Sequence, residues 1–195
     1  TTMDGVSRTL GTLFKAVTNS RALDNTAMTY VGYSNNDFYM IKNCKDAAAA
    51  CGQIAGWKAG SSLGYVRNEA VFGNTNRHIY VVDASGIVGE KLGETGHYPT
   101  TDRPWYSSPE GWSPEAYTFA STGQEGRTYS HHFSGGVVGI DSGCTDRDAT
   151  VRESQVCSHN YSSVGAYVAS SVGSTPVTTM DGVSRTLGTL FKAVT

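Results

Sequence analysis

Apolar residues recur along the chain in two rhythms, and each predicts a different element. Within residues 4–18, Val6, Leu10, Leu13, Phe14 and Val17 fall at spacings of three and four, the stripe of an amphipathic helix. Asp4 is placed to cap this helix and Gly11 weakens it slightly, so the stripe needs tertiary partners. Beyond it the rhythm shortens to alternation and to β-branched or aromatic runs. Met28 to Tyr33 and Asp37 to Lys42 flank Ser34-Asn35-Asn36 and read as a hairpin. His78 to Val82 ends at the turn Asp83-Ala84-Ser85-Gly86, after which Ile87 and Val88 resume. Ala116 to Ala120 and Arg127 to Phe133 flank Ser121 to Gly126, and Gly136 to Asp141 closes the series. These signals predict an α+β fold: an antiparallel sheet of five to six strands with a long amphipathic N-terminal helix.

Eighteen residues, TTMDGVSRTLGTLFKAVT, occur twice, at 1–18 and at 178–195, an offset of 177. Identity over that length is not chance, and it predicts a tandem array with this period. A single duplicated segment is the rival explanation. In the array, 1–177 is one unit, with helix 4–18, sheet and pocket at about 28–141 and a Cys-containing tail at 142–173. Residues 178–195 are then the first helix of the next unit, expected to pack on a neighbour or on this sheet's other surface.

Composition narrows the function classes. The 195 residues are 38% hydrophobic and 16% charged, which suits one globular domain with a sizeable core. Fifteen Lys and Arg against 17 Asp and Glu give a net charge of -2, with no electrostatic footprint for nucleic acid or an anionic membrane. No apolar run approaches the roughly 20 residues needed to span a bilayer, and the first residues carry no signal peptide. A soluble piece of a longer chain, without direct membrane insertion, is expected.

Four cysteines, Cys44, Cys51, Cys144 and Cys157, leave six and twelve residues between successive pairs. Two local disulfides, Cys44 with Cys51 and Cys144 with Cys157, suit that spacing, although four cysteines allow three pairings. A zinc site would want ligand pairs two to four residues apart. Disulfides imply an oxidising, extracellular or cell-surface setting, and the sequon Asn160-Tyr161-Ser162 is compatible with a glycoprotein.

Recognition chemistry concentrates between His97 and Asp141. Asp102-Arg103-Pro104-Trp105-Tyr106 sets a guanidinium, an indole N–H and a phenol within four residues, with Pro104 stiffening the backbone. Arg grips a carboxylate bidentately while Trp and Tyr complete its shell and exclude water. Tyr117 and Asp141 supply the acceptor and the negative charge that an ammonium group needs. A structural role competes: Arg103 can pair with Asp102 or Asp141, and the rings can fill the core. No Gly-x-Ser-x-Gly elbow, Gly-Lys phosphate loop or His-Glu-x-x-His motif is present, and His131-His132 on a strand would point to opposite faces. A binding module without cofactor or metal, rather than an enzyme, is therefore expected.

Beyond this chemistry, HYPTTDRPWY, WSPEAYTFASTGQEGRTYS and GVVGID, preceded by RHIYVVDASGIVGEKLGE, resemble successive landmarks of the membrane-distal module of double Cache domains. The resemblance runs from about Tyr30 to Asp141, and the run from Ser142 to Gly173 does not map onto it. It implies an extracellular ligand-sensing domain with a PAS-like antiparallel sheet behind a long helix. For the amino-acid-binding subset it further implies that Tyr98, Arg103 and Trp105, helped by Tyr106, hold a carboxylate, while Tyr117 and Asp141 hold the ammonium. The expected partners are a small amino acid or amine and neighbouring copies of the same repeat. The rival expectation is a structural repeat of an extracellular filament, sheath or adhesin, assembled through the shared helix.

Overall fold

The computed structural model describes residues 26–44, 48–144, 157 and 160–194. The helix expected at 4–18 lies outside them. Nine strands are present among the described residues: β1 (Thr26–Tyr33), β2 (Phe38–Lys42), β3 (Ser62–Arg67), β4 (Asn76–Val82), β5 (Val88–His97), β6 (Gly111–Trp112), β7 (Tyr117–Thr118), β8 (Glu125–Phe133) and β9 (Gly136–Ser142). Three short helices, α1 (Ala48–Cys51), α2 (Glu69–Phe72) and α3 (Pro104–Ser107), interrupt them, and two longer ones, α4 (Ser162–Val172) and α5 (Met180–Val194), follow.

The strands form one antiparallel sheet in the order β5-β4-β3-β2-β1-β9-β8-β6, with β7 added onto β8. The α+β class holds, and the sheet is larger than the five to six strands expected. β3 is the main addition. Its sequence SLGYVR breaks the apolar alternation with Gly64, where a Cβ would come within 2.8 Å of the Leu187 side chain, so the glycine is dictated by the helix above it. The strand expected at Ala116 to Ala120 shrinks to the two residues of β7, because Phe119 turns inward and is buried.

Alternation gives the sheet two buried faces. On one, Val31, Tyr33, Tyr39, Ile41, Val66, Tyr80, Val82, Val138 and Ile140 pack beneath α4 and α5. On the other, Met28, Tyr30, Phe38, Met40, Leu63, Tyr65 and Ile79 meet Trp105 and Phe119. α5 presents Val183, Leu187, Leu190 and Phe191 to the first face, all buried. These are the residues that answer to Val6, Leu10, Leu13 and Phe14 in the other copy. The stripe read from the sequence is thus a buried stripe at 180–194, and the second copy packs on this sheet. Each such side chain taken from water contributes about 1.5–3 kcal/mol.

The disulfides are Cys44–Cys51 and Cys144–Cys157, the pairing expected from spacing. Two disulfides fit an extracellular protein. Among the described residues no helix is long and apolar enough to cross a membrane.

Candidate ligand-binding site

The second face of the sheet is not wholly filled. A cavity of about 940 Å³ lies over it, floored by Met28, Tyr30, Phe38, Met40 and Tyr65 and walled by residues 113–121 and by Arg103, Pro104 and Trp105. That volume falls in the range of small-molecule sites.

Local sequence rules put the Arg-Pro-Trp-Tyr element in place. Pro104 keeps Arg103 extended, at φ -81° and ψ 139°, and opens the short α3 at its first helical position. The next residue, Trp105, is driven down onto the sheet, buried against Tyr30 with ring centroids 4.7 Å apart. Ser130 Oγ donates to the Trp105 carbonyl at 2.9 Å, and Thr100 Oγ1 donates to the Asn36 carbonyl at 2.7 Å, tying this segment to the strands and to the β1–β2 turn.

At one pole of the cavity stands Asp141. β9 directs it to the cavity face, opposite Thr128 of β8, and it is fully buried with no cation paired to it among the described residues. Tyr30 Oη donates to its Oδ1 at 2.7 Å and Thr128 Oγ1 donates to the same oxygen at 2.5 Å. Tyr117 Oη is hydrogen-bonded to Thr128 Oγ1, closing a chain of hydroxyls around the carboxyl group. Desolvation pushes the Asp141 pKa up to about 7, against the two hydroxyl bonds that pull it down. Full burial with the Asp141 carboxylate nearby holds Tyr30 well above its ordinary value, and the partial burial of Tyr117, otherwise an exposed residue, pushes it up to about 12 with Asp141 contributing. Gly139 makes the arrangement possible, since a Cβ there would overlap the Tyr30 ring.

At the other pole Arg103 lies over the Tyr98 ring, 4.9 Å from its centroid, with its buried Nε lacking a hydrogen-bond partner. Trp105 Nε1 donates to Tyr98 Oη at 3.3 Å, which leaves the Tyr98 hydroxyl proton to point elsewhere. Arg103 pairs with neither Asp102 nor Asp141, so the ion pairs that would have made it structural are absent among the described residues.

Five of the six residues singled out in the sequence, Tyr98, Arg103, Trp105, Tyr117 and Asp141, line this one cavity. The sixth, Tyr106, stands outside the lining and packs edge-on against Trp105 at 5.7 Å. Three participants escaped the sequence reading: Tyr30, Thr128 and Arg77 look like ordinary strand residues in isolation. Thr128 was recoverable, because the two-residue turn Ser134-Gly135 fixes the β8–β9 register and sets it opposite Asp141. His131 and His132 have different hydrogen-bond partners, Glu110 and the Ser108 carbonyl respectively. Among the described residues no group of three or more His, Cys, Asp or Glu could hold a metal ion. Comparison with protein-family models, curated proteins and solved structures returns no match.

Proposed function

We propose that the chain is an extracellular ligand-binding module of Cache type, with a PAS-like sheet, repeated in a larger surface protein and built to capture an amino acid or related small amine without changing it. One observation carries this reading: a buried carboxyl group and a partly buried guanidinium face the same cavity, and neither has an ion partner among the described residues. An unpaired buried charge is costly, so such a pair is retained where a ligand completes it. In this reading the ligand carboxylate lies against Arg103 and the Tyr98 hydroxyl, and its ammonium meets Asp141. Trp105, between the poles, excludes water and orients Tyr98 through its indole N–H.

The test is a thermal-shift screen against free amino acids and simple amines, run on the parent, Arg103→Ala and Asp141→Asn. A ligand at a hundred times its Kd stabilises by about 2.7 kcal/mol. The parent should shift and neither variant should. If nothing shifts the parent, the reading fails.

The second reading, a structural repeat of a filament, sheath or adhesin, is favoured by the repeated helix. Residues 180–194 and 3–17 are identical, so the sheet face that takes one has the same intrinsic affinity for the other. In an array, consecutive units would share helices. A labelled peptide of residues 1–18 should then exchange onto the folded chain, and failure to bind at any concentration would remove this reading.

A further inference from the structure

The basic pole of the cavity carries more charge than a single carboxylate needs. Arg77, on β4, lines the same cavity, with its guanidinium carbon 4.3 Å from the Tyr98 ring centroid and 5.9 Å from that of Tyr65. Its Nε donates to Thr95 Oγ1 at 3.0 Å, a neutral partner on the neighbouring strand that fixes the side chain's direction. Arg77 and Arg103 thus both lie within 5 Å of one tyrosine ring. Among the described residues no carboxylate pairs with either.

Two like charges brought together this way repel, and burial adds to the cost. Arg77 has its pKa lowered chiefly by desolvation, with Tyr98 and Tyr65 pulling it back up and Arg103 adding a smaller downward push. The two tyrosine rings and Thr95 Oγ1 offset part of that cost, but none of them supplies a negative charge to balance the two cations. Glu115 and His97, which also line the wall, are exposed, where water screens them. The cavity therefore offers two partly buried cations around Tyr98 and one buried carboxyl at Asp141.

Resting on the ligand-binding reading above, we propose that the ligand class is an acidic amino acid: its α-carboxylate goes to Arg103, its ammonium to Asp141 and its side-chain carboxylate to Arg77. Arg77 is then the residue that sets specificity, because a neutral side chain would leave its partly buried guanidinium without a carboxylate partner. Losing a polar partner in a closed site is penalised more heavily than losing apolar contact.

Isothermal calorimetry on the purified chain with L-glutamate, L-aspartate, L-glutamine, L-asparagine and L-leucine tests this, with Arg77→Met and Arg77→Lys alongside the parent. The parent should bind an acidic amino acid at least about tenfold more tightly than its amide, a gap near 1.4 kcal/mol. Arg77→Met should erase that preference while still binding the neutral ligands, and Arg77→Lys, which keeps the charge, should retain part of it. Ligand-free melting of both variants shows whether the fold survives, and Arg77→Lys carries the test if Arg77→Met does not fold. Binding of neutral amino acids as tight as that of acidic ones, or an acidic preference unchanged in Arg77→Met, overturns this inference and leaves the ligand-binding reading standing. Absence of binding to all five overturns this inference, and no shift in the wider screen of amino acids and amines overturns the ligand-binding reading as well.

Discussion

The two faces of the sheet are built from the same strands and solve different problems. Beneath α4 and α5, alternate residues of β1, β2, β4 and β9 are Val, Ile and Tyr packed on Val183, Leu187 and Leu190, and the buried Asn68 amide donates to Tyr39 Oη and to the Val177 carbonyl. One residue along each strand, the opposite face carries Thr128, Ser130 and Asp141 beside Met and aromatic rings, and a cavity in place of a helix. The first face trades conformational entropy for close packing. The second gives up packing and leaves a carboxyl group desolvated, an arrangement that stability alone does not explain. Burial by itself therefore does not locate function here; the unmatched charge does.

The comparison breaks most visibly at the helix. Leu187→Ala removes a fully buried side chain and should cost about 2–5 kcal/mol in denaturant unfolding, with no change in ligand affinity. If affinity falls with stability, the two faces are not independent. Should residues 1–18 substitute for α5, the loss will be blunted until Leu10→Ala is added.

Next in size is the pH dependence of Asp141. Its folded pKa of about 7 lies above the ordinary value of 3.8, so between these limits the native state holds a proton that the unfolded chain has lost. Stability should then fall as pH rises through that window, by on the order of 4 kcal/mol in the difference between the parent and Asp141→Asn. A difference that is flat from pH 4 to 7 would mean the carboxyl group is solvated or paired. Ligand affinity should run the other way, since an ammonium needs the carboxylate: binding tightens as pH rises towards about 7 and then levels off.

Smaller again, Gly139→Ala forces the Tyr30 ring aside and should destabilise by about 1–3 kcal/mol while weakening binding, because Tyr30 holds Asp141 Oδ1. Unchanged affinity would show that the hydroxyl chain only satisfies the carboxyl group and does not aim it. The smallest effect belongs to the exposed pair Arg185–Asp181 on α5, whose removal should alter stability by no more than about 0.5 kcal/mol in denaturant unfolding.

What the sequence made legible follows the same division. β1, β2, β4, β8 and β9 declare themselves because alternation and turn residues act locally, and so does the stripe of α5. α4 hides in Ser-, Ala- and Gly-rich sequence: Gly165 is there because a Cβ would strike the His131 side chain, a demand set by β8 and invisible along the helix itself. The cavity's dense motif from Tyr98 to Trp105 was readable from side-chain chemistry. Its long-range partners were not, since Tyr30 reaches Asp141 only through the β1–β9 pairing and Arg77 reaches Tyr98 only through the twin strands β4 and β5. That no cation among the described residues pairs with Asp141, the fact that matters most, is a property of three dimensions.

The most direct measurement is a carbon-13 NMR titration of the Asp141 side-chain carboxyl, with and without saturating L-alanine or L-glutamate. The free protein should titrate at about 7, and bound ligand should pull that midpoint down by at least a unit as its ammonium pairs with the carboxylate. A midpoint that stays where it was while ligand binds would place the ammonium elsewhere and contradict the proposed site.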